Sequence, residues 1–360
     1  MMEDTEQQKP ALTKVSLITE THVEFHWDQE IALNGGMTGC YHVYYKGEEL
    51  PLYERVDSDE WDVGTVYEPK KKRATVSLKT PVTKEMLPDL TAGVEKTANA
   101  LGMEPDGERR YPVQWEPYYT KISHPACGIP IKSCDAVRDE THAAAGKIID
   151  LMLQKLPDAA AKMAEYHAEL AIYPIGQDAY DIPEHRVGFL YMHRPVEGYG
   201  GVVENPVNSI SEVNVLRILE GEFTTRYREE LILAHEFAHG IHLIGIEHLA
   251  DRTLAERFRA VYAHAKEVGK WPNTYAISNY EEYFATLTTV WFNVMEEGVN
   301  GTWDGVRGPV NTREELYRYD REAYDFFRDM YPEAFFPAPW NVTKNLYDID
   351  GSRLQESEEK

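Results

Sequence analysis

Two histidines one helical turn apart, His235 and His239, carry the clearest chemistry in this sequence. Residues four apart on an α-helix are separated by about 400° of rotation, so both imidazoles project from one face and can share one metal ion. Glu236 follows the first histidine, and a carboxylate in that position can reach water on the metal as a general base. The pattern HExxH therefore predicts a zinc site that activates water.

The residues around this motif predict that it lies on a buried helix. The segment 231–243 is apolar on almost every side apart from its histidines and Glu236. Imidazoles and carboxylates are costly to bury without partners, and a zinc ion would supply partners for all of them. The sequence therefore predicts one catalytic zinc ion, bound by His235 and His239.

A catalytic zinc ion needs a third protein ligand and an open fourth position for water. The metzincin pattern HExxHxxGxxH is absent, because His242 stands where that pattern has its glycine and Gly245 where it has its last histidine. His242 remains a candidate, although one helix rarely delivers three imidazoles at tetrahedral angles. Glu247 and His248 are weaker candidates, since they lie beyond a helix end predicted at Gly245.

Glu282 is the favoured third ligand. Ser278 and Glu281 fit the capping box S-x-x-E, which leaves Glu282 free to project inward from the first turn of a helix that is expected to run through Met295. Small residues share its face, as close packing against another helix requires; they are Ala285, Thr286 and Thr289. The alternative is that Glu281 and Glu282 are two surface glutamates.

A mixed domain over 131–350 is predicted to position these residues. Apolar residues recur at helical spacing over 134–156, a second short helix is expected over 159–168, and short apolar runs at 169–173 and 187–191 predict strands. Helices and strands in this order ahead of a zinc-binding helix are typical of a zincin-like α+β fold.

Two further signals flank the metal helix. The glycine-rich run 198–203 comes just before it, where a sheet edge over an active cleft could pair with an extended peptide, although such a run is also compatible with a simple turn. Further along, Thr312 and Glu315 fit a second capping box, which predicts the start of a helix that closes the domain.

A small all-β domain is predicted over 11–103. Val23, Phe25 and Trp27 alternate with polar neighbours, which is the period of a half-buried strand, and turn-forming residues such as those at 34–36 separate several such runs. The stretch 90–102, together with the strands Val-Glu-Phe at 23–25 and Ala-Thr-Val-Ser-Leu at 74–78, resembles the bacterial Ig-like domains of surface-layer and other exported proteins. An unrelated β subdomain is the alternative.

The predicted fold class is therefore an α+β zincin-like catalytic domain preceded by a small all-β Ig-like sandwich domain. The expected order along the chain is a polar tail, the β-sandwich, a linker or draped connection, the metallopeptidase domain and an acidic tail, over 1–10, 11–103, 104–130, 131–350 and 351–360.

The two motif segments together resemble one family of zinc enzymes. HEFAH at 235–239 and the pattern Tyr-x-x-Ser-Asn-x-Glu-Glu-Tyr-Phe-Ala at 275–285 are similar to the catalytic domain of the anthrax lethal factor type of gluzincin metallopeptidase. The likeness is specific around the site and vaguer over 125–345. This chain departs from the family in having Thr286 where a further glutamate is common.

The resemblance implies a role for each site residue. It makes His235, His239 and Glu282 the zinc ligands, Glu236 the general base and Tyr275 a phenol that assists catalysis. The implied activity is zinc-dependent hydrolysis of peptide bonds by an endopeptidase, in which Tyr275 stabilises the developing oxyanion. Nothing in the sequence resembles the toxin-delivery domain of lethal factor, so no toxin role is expected.

Two other functions remain open. The same zinc centre could hydrolyse a non-peptide or cell-wall amide. Alternatively, the chain could be a surface binding or adhesion protein whose zinc site is structural. A structural site closes its fourth position with another protein ligand and has no use for Glu236 or Tyr275, which argues against the last reading.

Composition restricts the partners. The net charge is −24, from 61 acidic and 37 basic residues, which disfavours nucleic acids and anionic membrane surfaces as partners and favours a cationic or neutral substrate. The substrate expected for the implied activity is a protein or peptide. No apolar run reaches the length of about 18 residues that a membrane span requires. The sequence leaves the oligomeric state open.

The compartment is also left open. The first ten residues are polar and resemble neither a signal peptide nor a transit peptide, so an extracellular or cell-surface location is expected only with a leader removed, and a cytoplasmic location remains possible. Three cysteines are too few for a disulfide scaffold, although Cys127 and Cys134 could pair and leave Cys40 free.

Overall fold

The computed structural model of this protein describes residues 9–32, 36–53, 64–106, 109–188, 196–341, 347–350, 352 and 354. Most of the two expected tails, the first two residues of the turn at 34–36 and the end of the run 187–191 lie outside these residues. The chain divides into two compact units. The first comprises Met1–Thr120 and Tyr180–Arg194, and the second comprises Lys121–Ala179 and Pro195–Lys360.

The first unit contains two β-sheets around one apolar core. Its strands are β1 (Leu12–Thr19), β2 (His22–Trp27), β3 (Tyr41–Tyr45), β4 (Glu48–Glu49), β5 (Val66–Glu68), β6 (Arg73–Ser77), β7 (Leu90–Val94), β8 (Tyr111–Pro112) and β9 (Gln114–Trp115). One sheet has the order β5-β6-β2-β1-β9 and the other β4-β3-β7-β8. Both sheets contribute to the same buried cluster, as the contact between Phe25 and Tyr41 shows, with ring centroids 4.8 Å apart.

The alternating pattern of the second strand sets the register of this sheet. Val23 and Phe25 are fully buried and pair with Leu17 and Val15 across the β1–β2 hairpin. Side chains of a strand alternate between two faces, so these four residues lie on the core side. The strand predicted around Val23, Phe25 and Trp27 is confirmed.

The second unit is a five-stranded sheet with helices packed on it. Its strands are β10 (Lys121–Ser123), β11 (Ile131–Ser133), β12 (Glu169–Tyr173), β13 (Gly198–Tyr199) and β14 (Val207–Ser211). Their order is β10-β11-β12-β14-β13, parallel from β11 to β14 with antiparallel strands at both edges. Its helices are α1 (Asp139–Leu153), α2 (Pro157–Glu165), α3 (Glu212–Val215), α4 (Ile232–Gly240), α5 (Thr253–Glu267), α6 (Tyr280–Trp291), α7 (Arg313–Tyr319) and α8 (Arg321–Met330).

The helices and strands before β13 largely follow the sequence pattern. The helices expected over 134–156 and 159–168 are present as α1 and α2, and Pro157 occupies the first turn of α2, where its missing N–H costs nothing. The strand expected at 169–173 is present as β12. The strand expected at 187–191 is wrong where the structure describes it, because Val187 and Gly188 do not have strand conformation.

The described part of the stretch 104–130, for which the sequence predicts a linker or draped connection, contains three short strands. They are β8 and β9, which extend the two sheets of the first unit, and β10, which begins the second. Strands of two or three residues are too short to produce a visible period in the sequence, so only their sheet partners identify them.

The helix that carries Glu282 differs at both ends from its prediction. Asn279 rather than Ser278 is its N-cap, and the Asn279 side chain accepts a hydrogen bond from the backbone N–H of Glu282. The capping box of Ser278 and Glu281 is therefore wrong. At the other end α6 stops at Trp291 instead of running through Met295, because Asn293 adopts a left-handed φ of 58°.

Other local predictions have mixed outcomes. The capping box of Thr312 and Glu315 is confirmed at the start of α7. All three cysteines are free thiols, so Cys127 and Cys134 are not paired. Within the residues described above, every helix is too short or too polar to cross a bilayer.

Candidate metal centre

The helix α4 places both histidines of the HExxH motif on one face. Nε2 of His235 lies 3.3 Å from Nε2 of His239, and the ring centroids are 5.0 Å apart. The helix forms here because its apolar residues are almost completely buried in the core of the second unit, which includes Leu233 and Phe237. The burial that holds the helix also removes the two imidazoles from water, and each histidine is less than a tenth exposed.

Asn214 anchors the N-terminus of this helix. Its Oδ1 accepts a hydrogen bond of 2.9 Å from the backbone N–H of Ile232, and its Nδ2 donates to the carbonyl of Glu230 at 3.0 Å. Asn214 is fully buried in α3. Because the first N–H groups of a helix have no partner within it, this side chain fixes where α4 begins.

A glycine-rich segment lies directly against the motif. A Cβ atom on Gly200 would lie 2.4 Å from Cβ of His239, and one on Gly198 would lie 2.8 Å from Cγ of Glu236. Side chains cannot be accommodated at such distances, so the backbone here approaches α4 as only glycine permits. The run 198–203 is therefore part of the site, and its first two residues form the edge strand β13.

Glu282 reaches the histidines from the first turn of α6. Its Oε2 lies 3.1 Å from Nε2 of His235 and 3.6 Å from Nε2 of His239. The hydrogen bond to the cap residue Asn279 fixes the backbone of Glu282. Among the described residues, these two histidines and Glu282 form a group whose ligand atoms all lie within 4.8 Å of one another.

These three side chains fit a tetrahedral metal ion. Bonds of about 2.0 to 2.1 Å to such an ion separate neighbouring ligand atoms by about 3.3 to 3.4 Å. The three observed separations of 3.1, 3.3 and 3.6 Å lie around that value. Two imidazole nitrogens and one carboxylate oxygen are ligands that zinc accepts, and three protein ligands leave one position open.

The buried charges at this site depend on one another. Burial alone would lower the pKa of His235, but its hydrogen bond to Glu282 and the charges of Glu236 and Glu282 raise it to about 9. Burial would likewise raise the pKa of Glu282, and the hydrogen bonds and charges of the two histidines instead hold it well below its usual range. Both pKa shifts favour a positively charged His235 beside a negatively charged Glu282.

The pKa of Glu236, the second acidic group of the site, shifts in the opposite direction from that of Glu282. Glu236 keeps part of its surface accessible, yet desolvation of its carboxyl raises its pKa, and the nearby charges of His235 and His239 only partly offset this effect. A carboxyl with a raised pKa accepts a proton more readily near neutral pH, which is what a general base requires.

Tyr275 lies at the open side of the group. Its side chain is half exposed, and its hydroxyl donates to Oε1 of Glu282 at 3.2 Å. Its backbone N–H donates to the carbonyl of Val306 at 2.9 Å, so the loop around Val306 supports the segment that carries the phenol. The five residues named from the sequence therefore lie together in one site.

The alternative ligand candidates lie elsewhere. His242 is fully buried and stacks on Phe284 with ring centroids 4.7 Å apart, and its Nε2 lies 3.4 Å from Oε1 of Glu247. His248 contacts the ring of Tyr166. The carboxylate of Glu247 is also paired with Arg252 and Arg259. The group of ligand atoms around His235 includes none of these three candidates.

Three supporting residues were not predicted from the sequence. Asn279 could have been found, because asparagine immediately before Tyr-Glu-Glu is a strong cap signal. Gly200 carried a weaker signal, in the glycine-rich run before the motif. Asn214 carried none, since its contact with Ile232 depends on how α3 and α4 meet in the fold.

Comparisons with known proteins do not assign this chain to a family. No protein-family model matches it, and no curated protein matches it. Among solved structures, domains 1–6 of the surface layer protein SbsC have a TM-score of 0.25 and 14% identity over 33% of this chain and 15% of that one. The S-layer protein rSbsC(31-844) has a TM-score of 0.25 and 14% identity over 32% of this chain and 15% of that one. The N-terminal part of SbsC has a TM-score of 0.24 and 13% identity over 33% of this chain and 27% of that one. TM-scores of this size do not indicate a shared fold.

Proposed function

We propose that this chain is a zinc-dependent endopeptidase of the gluzincin kind. The observation that supports this most directly is the group of His235, His239 and Glu282, whose ligand atoms are spaced as the corners of a tetrahedral site with Glu236 beside them. In this proposal the second unit is a zincin-like catalytic domain and the first an Ig-like sandwich. The two sheets around one core support the latter assignment.

Glu236 acts as the general base in the proposed reaction. Zinc, when bound, supplies a Lewis acid that polarises the scissile carbonyl and acidifies water. The carboxylate of Glu236 accepts a proton from the attacking water as its oxygen bonds to the carbonyl carbon. The same carboxyl then donates that proton to the amine as the C–N bond breaks.

Tyr275 stabilises the charge that develops on the carbonyl oxygen. Its hydroxyl already points at the ligand group, where it donates to Glu282. A phenol in this position can donate to the oxyanion instead, and a contact of this type contributes about 3 to 4 kcal/mol in other hydrolases. The half-exposed ring leaves room for a substrate beside it.

The edge strand β13 supports a peptide as the substrate. Among the described residues it is the last strand of its sheet, pairs with β14 through Gly198 and Tyr199, and lies against the helix that carries the motif. An extended peptide can add to such an edge through backbone hydrogen bonds, which would align it along α4. A small non-peptide amide would make no comparable use of this edge.

The decisive variant is Glu236→Gln. It keeps the size of the side chain and removes the base, so hydrolysis should fall by about a thousandfold or more while zinc still binds. The measurement is a digest of a proteome-derived peptide library with and without a chelator, paired with metal analysis of the purified protein. Glu281→Gln, which changes a neighbouring glutamate outside the ligand group, should leave both results unchanged. Normal hydrolysis by Glu236→Gln would overturn the mechanism.

A further inference from the structure

Asp320 is a buried carboxylate that the proposed reaction does not use. It joins α7 to α8, only 2% of its surface is exposed, and it caps α8 by accepting a hydrogen bond from the backbone N–H of Ala323 at 3.4 Å. A charged group is costly to bury unless donors surround it. The groups that satisfy Asp320 are therefore expected to be held firmly in place.

Two of these groups come from the segment that carries the site. Oδ2 of Asp320 accepts a hydrogen bond of 2.8 Å from the indole Nε1–H of Trp271 and another of 2.8 Å from the hydroxyl of Tyr283. Lys270 adds a cation, with Nζ 3.6 Å from Oδ1. One carboxylate thus links both ends of the stretch between Trp271 and Tyr283.

The bond to Tyr283 fixes the rotation of α6. Tyr283 follows Glu282 directly and is fully buried, so its phenol points into the core toward Asp320. Successive residues of a helix differ by about 100° around its axis. Holding Tyr283 in this direction therefore holds Glu282 in the direction of His235.

The bond to Trp271 fixes the approach to Tyr275. Trp271 adopts a left-handed φ of 56°, which is rare for a bulky residue and persists only where the surroundings determine it. Its backbone N–H donates to the hydroxyl of Tyr319 at 2.8 Å, and its carbonyl accepts from Oγ1 of Thr274 at 2.7 Å. These bonds set the path of the chain into Tyr275.

We propose that Asp320 is a positioning residue that places Glu282 and Tyr275 together against the metal helix. It touches no reacting atom and acts only through Tyr283 and Trp271. The part of this proposal that concerns Tyr275 rests on the proposed peptidase function, whereas the part that concerns Glu282 rests on metal binding alone.

Asp320→Asn is the principal test. The amide keeps the shape of the side chain but replaces one acceptor oxygen with a donor, so it cannot satisfy all of the same partners. We expect zinc affinity, measured by chelator competition on folded protein, to fall about tenfold or more, as for other residues that orient metal ligands. Asp329→Asn, an exposed change on α8, the helix that Asp320 caps, should alter zinc affinity by less than about twofold.

Two variants at the partners of Asp320 test the positioning role directly. Tyr283→Phe conserves the shape of the side chain and removes only the hydroxyl, so it guards against a folding defect. Trp271→Phe removes the indole donor together with part of the ring volume, so its folded fraction is checked by circular dichroism; each should weaken zinc binding or turnover in folded protein. Turnover should separate their effects, because Tyr283→Phe acts mainly through Glu282 and Trp271→Phe mainly through Tyr275. In a Tyr275→Phe background, Trp271→Phe should lower kcat less than it does in the wild-type chain.

The outcomes distinguish this proposal from the peptidase proposal. Wild-type zinc affinity and kcat in folded Asp320→Asn, with only a lower melting temperature, would show a merely structural role and overturn the positioning proposal. A wild-type chain that binds zinc but cleaves no peptide would overturn the peptidase function and leave the affinity comparison to decide the role of Asp320. A wild-type chain that binds no zinc would overturn both.

Discussion

Loss of the Tyr275 hydroxyl should affect turnover much more than zinc affinity. It donates to Oε1 of Glu282, while the other oxygen of that carboxylate, Oε2, faces the two histidines. Removal of the hydroxyl therefore leaves the ligand atoms and their spacing in place. A donor that acts on the oxyanion contributes only as charge develops, so its loss appears in kcat.

We therefore expect Tyr275→Phe to lower kcat by about a hundredfold to a thousandfold. Zinc affinity should change by less than about tenfold, because the lost hydrogen bond lies outside the ligand atoms. The measurement is steady-state hydrolysis of a cleaved library peptide together with chelator competition. Tyr317→Phe provides the control, since that tyrosine is equally exposed in the same unit. An unchanged kcat for Tyr275→Phe would remove the phenol from the mechanism.

Residue types and spacing alone placed His235, His239 and Glu236 together, because helical periodicity determines their geometry. The pattern of its own helix favours Glu282, although the cap of that helix is Asn279 and not Ser278. Ser278 and Asn279 are adjacent, and either cap leaves Glu282 in the first turn of α6. The position of Glu282 was therefore insensitive to the error. The contacts of Asp320 could not be predicted from the sequence, because its partners Trp271 and Tyr283 lie 49 and 37 positions away in the chain.

At the scale of elements, the site depends on how closely β13 approaches α4. The sequence identified a glycine-rich run before the motif but left its role open between a turn and a sheet edge. The structure gives the reason for the glycines, since His239 and Glu236 occupy the space that side chains at Gly200 and Gly198 would need. The contact is between two elements, so it is invisible in the pattern of either one.

We expect Gly200→Ala to disturb the metal centre. The added methyl would lie 2.4 Å from Cβ of His239, so β13 or the imidazole must move. Zinc affinity should fall about tenfold or more, and overpacking of this kind should cost about 1 to 3 kcal/mol of stability. Chelator competition and thermal unfolding measure the two effects.

The matched control for this change is Gly146→Ala on α1. Its methyl would meet Cγ of Pro125 at 3.5 Å, which is an ordinary contact. Alanine is favoured over glycine within a helix by about 1 kcal/mol, so this variant should be at least as stable as the wild type and bind zinc normally. Equal zinc affinity for Gly200→Ala and Gly146→Ala would mean that the run 198–203 does not constrain His239.

At the scale of the whole chain, the sequence predicts an all-β region and a mixed α+β region but not the path of the chain between them. The segment Tyr180–Arg194 belongs to the first unit although it follows β12 of the second. Its described part contains Arg186, whose Nη1 donates a hydrogen bond to Oε1 of Glu24 on β2 and another, of 2.8 Å, to Oγ1 of Thr75. A partner 162 positions away leaves no local signal in the sequence, so the assignment of this segment to the first unit could not be predicted.

The same contact predicts how the first unit responds to acid. Burial would raise the pKa of Glu24, but hydrogen bonding to His26 and the charges of Arg186 and Arg73 lower it from 4.5 to about 2. A carboxyl whose pKa is lowered by folding stabilises the protein above its unfolded pKa and loses that contribution as the pH falls. Glu24 should therefore contribute fully above pH 4.5 and lose about 3 kcal/mol between pH 4.5 and about 2.

Glu24→Gln tests this expectation at both ends of the pH range. At neutral pH it should destabilise the first unit by about 3 to 5 kcal/mol, because Arg186 remains buried without its carboxylate. Between pH 4.5 and 2 its stability should change less than that of the wild type, since the titrating group is gone. Urea unfolding followed by hydrogen exchange of peptides from β2 measures both effects. Glu20→Gln, an exposed change in the same hairpin, should retain the wild-type acid dependence, whereas an identical dependence in Glu24→Gln would show that another carboxyl controls it.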